Sequence, residues 1–119
     1  REEYEALMFL NQQPQGTVFA SQRISSFTPL YANKRVVLGF ANPGVYSFVE
    51  DGSQRVDDYK EFYATNSTET MHSILDKYNV TYIIYDEREQ EIFRKDLTSM
   101  EFLETIFDRE IKIYRVRIA

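Results

Sequence analysis

The chain has no cysteine. That excludes disulfides, thiolate nucleophiles and cysteine-ligated zinc, and leaves the redox compartment open. Tryptophan is absent too, and His72 is the one histidine. A nucleophilic triad would need that histidine beside a serine elbow, and no G-x-S-x-G occurs. A surface position near a helix start is the better reading of His72, and one histidine with scattered acids makes a poor metal set. Only four glycines are present, and neither G-x-G-x-x-G nor G-x-x-x-x-G-K-[ST] is formed. The expectation is no catalytic residue, no metal and no cofactor.

Positive charge is also in short supply. Fourteen Lys and Arg face nineteen Asp and Glu, for a net charge of −5. A general nucleic-acid binder needs a basic surface that displaces phosphate counterions, so no nucleic-acid partner is expected. No apolar run approaches the roughly 18 residues of a membrane span.

What is there is a core. Of 119 residues, 43% are hydrophobic and 15% aromatic, with nine Tyr and nine Phe. A chain of this length buries roughly two-thirds of its unfolded surface, enough to fold without staples. No linker or repeat divides it, so residues 1–119 are read as a single soluble domain. It opens at Arg1, already inside a helical pattern, and is expected to be a fragment or processed product of a longer protein.

Periodicity supplies the elements. Residues 2–13 place Tyr4, Leu7, Met8 and Leu10 on one helical face, with Glu2, Glu3 and Glu5 at the positive end of the dipole. Pro14-Gln15-Gly16 ends that helix, and Thr17 to Ala20 reads as a buried strand. Residues 24–34 fit a short helix or irregular segment, and Arg35 to Gly39 a second strand. Turn signals fill 40–55, and a helix follows over 57–65 with Tyr59, Phe62 and Tyr63 inward. Asn66 and Glu69 have capping-box spacing before a helix carrying Met71, Ile74, Leu75 and Tyr78, which Asn79 can end. Val80 to Tyr85 is the clearest strand. Asp86-Glu87-Arg88-Glu89 opens a helix with Ile92 and Phe93 toward the core, and a further short helix is expected near 99–103. The tail reads as a hairpin around Asp108-Arg109-Glu110. Strands separated by helices imply an α/β fold: a three-layer, mostly parallel sheet with helical crossovers and a C-terminal antiparallel hairpin.

In open α/β sheets, ligands sit beyond the carboxyl ends of the strands. Three such ends supply the candidate ligand-binding residues: Ser21 and Arg23; Gly39, Phe40 and Asn42; Asp86 and Arg88. They converge only if their strands are parallel neighbours, and the same side chains serve equally as helix caps. The acidic pairs Glu50-Asp51 and Asp57-Asp58 read as helix-start charges rather than cation ligands. Most aromatics fall at core spacing, which leaves Phe40, Tyr46 and Phe48 as the exposed candidates for stacking on a sugar. Two N-x-[ST] sequons occur, at Asn66 and Asn79, and both asparagines also have helix-boundary roles.

A series of phrases resembles a known family. They are Val18 to Ser21, Pro29 to Ala32, Lys34 to Phe40, Tyr78 to Tyr85, Leu103 to Phe107 and Ile113 to Val116. In that order they resemble the C-terminal domain of polytopic GT-C-type membrane glycosyltransferases, over about residues 5 to 117. The family often shows Gly-His after the second strand, where this chain has Gly39-Phe40. The resemblance implies an extracytoplasmic accessory domain, tethered through the parent at the outer membrane face. Transfer from a lipid-linked sugar would use acidic loops of the parent that this chain does not contain. The implied partners are the transmembrane part of the same chain and a glycan or lipid-linked sugar acceptor. The residues alone also admit a soluble small-molecule-binding or regulatory module at the strand ends, and a small enzyme using Asp86 with Arg23 or Arg88, which ranks last.

Overall fold

Val80–Tyr85 forms the middle strand of a five-stranded sheet, and every residue from Tyr82 to Tyr85 is buried. The computed structural model describes residues 2–38 and 52–117. In chain order the elements are α1 (Glu2–Asn11), β1 (Thr17–Phe19), α2 (Gln22–Ala32), β2 (Arg35–Val36), α3 (Gly52–Ala64), α4 (Thr68–Lys77), β3 (Val80–Tyr85), α5 (Glu87–Phe93), β4 (Leu103–Asp108) and β5 (Lys112–Val116). The sheet order is β2-β1-β3-β5-β4. β1 runs parallel to both β2 and β3, while β5 lies antiparallel between β3 and β4. This is the expected small α/β domain: three parallel strands joined through helices, closed by an antiparallel hairpin.

Alternation along the strands divides the core in two. Phe19, Ile83, Tyr85 and Tyr114 pack on one side with Phe62 and Tyr63 of α3 and Met71, Ile74 and Leu75 of α4. Val18, Tyr82, Ile84 and Ile113 pack on the other with Ala6, Leu7 and Leu10 of α1 and Ile24 and Ala32 of α2. Helices therefore cover both faces. A sheet buried on both sides needs strands that are apolar throughout, which is how β3 reads.

Several boundaries move. Residues 24–34 are helical over Gln22–Ala32, capped by Ser21 and ended at Asn33 with φ 55°. α3 begins at Gly52 rather than 57, so Asp58 lies inside the helix. There it accepts hydrogen bonds from Lys77 at 2.8 Å and from Tyr78, holding α3 to α4. Burial raises the pKa of this carboxyl, but the bonds from Lys77, Tyr78 and Gln54 outweigh it and leave it below its ordinary value. The cap of α4 is Ser67, whose hydroxyl accepts from the Thr70 N–H, and not Asn66. Asn79 does leave that helix left-handed, at φ 52°. The short helix near 99–103 is a pair of turns, with Met100 N–H bonded to Leu97 O. Tyr4 is 52% exposed and Ile92 65%, so neither faces the core as its spacing implied.

One close approach sets the entry of β1. A Cβ on Gly16 would lie 2.5 Å from both Cβ and Oγ1 of Thr81, where the β1–β3 register shifts. Thr81 is part of the middle strand and cannot swing away. Gly16→Ala is therefore expected to destabilise the fold by about 1–3 kcal/mol, the usual range for overpacking. Urea denaturation followed by circular dichroism measures it, and Gly16→Ala with Thr81→Ala should recover part of the loss. A neutral single variant would mean that the β1–β3 junction relaxes.

Candidate functional site

β1 feeds α2 and then β2 on one side, whereas β3 lies on the other side of β1 and feeds α5. The chain thus leaves two neighbouring parallel strands in opposite directions, and a crevice opens between their carboxyl ends. Each exit carries a helix cap. Ser21 caps α2 by accepting from Ile24 N–H at 3.3 Å, and Asp86 caps α5 by accepting from Glu89 N–H at 2.8 Å. The caps also meet: Ser21 Oγ donates to Asp86 Oδ2 at 3.2 Å, across 65 residues of sequence.

α5 begins with a complete capping box, because Glu89 Oε1 accepts the Asp86 N–H at 3.0 Å. The other oxygen, Oε2, accepts from the Tyr59 hydroxyl of α3 at 2.5 Å. Asp86 and Glu89 are both buried, at 4% and 3% exposure. Burial and the neighbouring Asp86 carboxylate push Glu89 up to about 8, against the pull of its bonds from Tyr59 and Asp86 N–H. The phenols around it, Tyr59, Tyr63 and Tyr85, are all raised, first by burial and then in part by Glu89. The Tyr63 ring lies between those of Tyr85 and Phe93 at 5.4 and 4.4 Å, and its buried hydroxyl has no hydrogen-bond partner among the described residues.

Above this floor is a pocket of about 130 Å³ lined by Ser21, Arg23, Tyr59, Asp86, Arg88, Glu89, Ile92 and Phe93. A wider hollow of about 460 Å³ adjoins it through Ser21 and Arg23 and is lined further by Gln22, Ser26 and Phe27. Four of the seven residues expected from strand ends, Ser21, Arg23, Asp86 and Arg88, therefore share one pocket. Gly39, Phe40 and Asn42 lie outside the described residues, as do Tyr46, Phe48 and the Glu50-Asp51 pair. Arg23 pairs with Glu3 of α1, Nη1 to Oε1 at 3.0 Å, and its charge is favoured by that bond and by Asp86. The pocket has a cationic rim over a carboxyl floor. It can offer donors to a small polar ligand, but both Asp86 oxygens and both Glu89 oxygens are already engaged. Neither is presented as a base.

His72 is half-buried, 3.5 Å from Asp76 and edge-on to Phe102 at 5.3 Å. Among the described residues no three His, Asp or Glu side chains gather as a metal set. Glu89 and Tyr59 were not among the residues expected at the site, though both line the pocket. Asp86 and Glu89 have the D-x-x-E spacing of a capping box, but Tyr59 lies 30 residues away and only tertiary packing delivers it.

The fold is that of a small α/β domain with a mixed five-stranded sheet and helices on both faces. Among solved structures it is similar to the C-terminal globular domain of an oligosaccharyltransferase from Archaeoglobus fulgidus, at a TM-score of 0.67 and 17% identity over 95% of each chain. At that identity the likeness shows the fold alone. No family model matches the chain, and no curated protein matches its sequence. Among the described residues no helix is long and apolar enough to cross a membrane.

Proposed function

We propose that this chain is an extracytoplasmic accessory domain of a membrane-embedded glycosyltransferase-like protein, steadying the membrane part or helping to bind acceptor. One observation carries the reading: the fold matches a globular domain of an oligosaccharyltransferase end to end, over 95% of both chains. A domain of this kind contributes surface rather than chemistry, and the engaged carboxyls of the crevice fit that division. The transferring residues then belong to the parent, and the partners are its transmembrane part and a glycan or lipid-linked sugar acceptor.

The complete reading frame tests the first half. Several apolar spans in the same frame support it, and a frame without spans overturns it. The purified 119-residue chain tests the second half: incubated with a lipid-linked oligosaccharide and an acceptor peptide, it is expected to transfer no sugar. Turnover by the chain alone would overturn the accessory role. A second reading, a small-molecule-binding or regulatory module, is favoured by one observation. Ser21, Arg23, Asp86 and Arg88 meet around one pocket at the carboxyl ends of β1 and β3, where the connections leave the sheet in opposite directions.

A further inference from the structure

We infer that Asn66 is an N-glycan acceptor in the folded chain, and that Asn79, in the second sequon, is closed to the same modification. The two triplets, Asn66-Ser67-Thr68 and Asn79-Val80-Thr81, are equivalent as sequence. A transferase must draw all three residues of a sequon into its own site, so what the second and third residues are doing decides access.

Asn66 lies in the exposed stretch between α3 and α4. Ser67 is extended, with φ −92° and ψ 115°, and its hydroxyl caps α4 through one bond to Thr70 N–H at 3.1 Å. Thr68 is the first helical residue and is exposed, and its hydroxyl has no hydrogen bond among the described residues. Presenting this triplet requires fraying of one helix end, the kind of opening that folded proteins make readily.

Asn79 is itself exposed, but the residues that follow it are not free to move. Val80 is 7% exposed and pairs with Thr17, and Thr81 accepts from Thr17 N–H at 3.4 Å while packing against Gly16. Both belong to the middle strand. Extracting them separates β1 from β3 and opens the core, an event near global unfolding.

In the transfer, a bond forms between Asn66 Nδ2 and the anomeric carbon of the donor sugar. The bond from that carbon to the lipid phosphate oxygen breaks, and the phosphate leaves with the electron pair. A base of the transferase takes the amide proton. The donor is a lipid-phosphate-linked oligosaccharide and the catalyst a separate oligosaccharyltransferase.

The experiment incubates the folded 119-residue chain with a purified oligosaccharyltransferase and a fluorescent lipid-linked oligosaccharide, read by gel shift and peptide mass spectrometry. Peptides covering residues 62–72 and 75–85 serve as unfolded controls. The expected result is one glycan on Asn66, kept in Asn79→Gln and lost in Asn66→Gln, with both peptides modified. Glycan on Asn79 of the folded chain would overturn the inference, as would an unmodified Asn66 in a chain whose 62–72 peptide is modified. Occupancy in a cell additionally requires the outward location proposed above. The reaction with purified components does not, so the two ideas fail separately.

Discussion

Replacing Glu89 by glutamine is expected to make the protein more stable at pH 8 to 9 and to flatten its stability profile at lower pH. Glu89 is a buried carboxyl whose folded-state pKa is raised to about 8. A raised pKa means that the folded chain holds this proton more tightly than the unfolded chain does. The contribution is complete below the ordinary carboxyl value. It declines as pH climbs from there and is gone above about 8, at up to ~1.4 kcal/mol per pH unit. The groups facing Glu89 are Asp86 at the cap, Tyr85 of β3, Tyr59 and Tyr63 of α3, and, around the pocket, Arg23 and Arg88. The three phenols are shifted upward and stay neutral through this window.

Glutamine keeps an oxygen to accept the Asp86 N–H, and its amide NH2 donates to the Tyr59 oxygen, reversing that bond as a protonated carboxyl would. The capping geometry therefore survives while the ionisation does not. Urea denaturation from pH 5 to 9, followed by circular dichroism, should give a difference between variant and parent that grows with pH and levels off near 8. The difference isolates Glu89 from groups of opposite sign, such as Asp58, whose lowered pKa stabilises the fold as pH rises. Parallel profiles would show that Glu89 titrates as an ordinary carboxyl.

The largest single loss is expected from Phe19→Ala. Phe19 is fully buried, and its ring lies 4.9 Å from Phe62, 5.6 Å from Tyr59 and 6.2 Å from Tyr63. Truncation leaves a cavity where β1 meets α3, at a cost of about 3–5 kcal/mol. Domains of this size have only about 5–15 kcal/mol in total, so the variant should melt lower by roughly 10–20 °C. Phe27→Ala is the control: at 43% exposure it should cost within about 0.5 kcal/mol. Equal effects from the two would place the aromatic core elsewhere.

The elements legible in the sequence were those whose local pattern and tertiary role agree. β3 is β-branched and aromatic throughout, and it occupies the middle of the sheet, with side chains buried on both faces. Tyr59, Phe62 and Tyr63 share a helical face, and all three meet Phe19. Failures came where two local signals competed. Asn66 and Ser67 are both good caps, and Ser67 prevails with its hydroxyl on Thr70 N–H. Ile92 and Phe93 are adjacent on a helix of seven residues, which has only one inward face, and Phe93 takes it against Tyr63.

By itself, then, the sequence determined the α/β class, the residues that follow β1 and β3, and the two N-x-[ST] triplets, because period, turn chemistry and spacing are local properties. It left open which strands would be neighbours. Only the tertiary structure decided that Ser21 meets Asp86 across 65 residues, that Tyr59 closes on Glu89, and that one sequon lies at an exposed helix end while the other runs into the sheet. Those outcomes depend on long-range pairing and burial, and a buried carboxyl is written with the same letter as an exposed one.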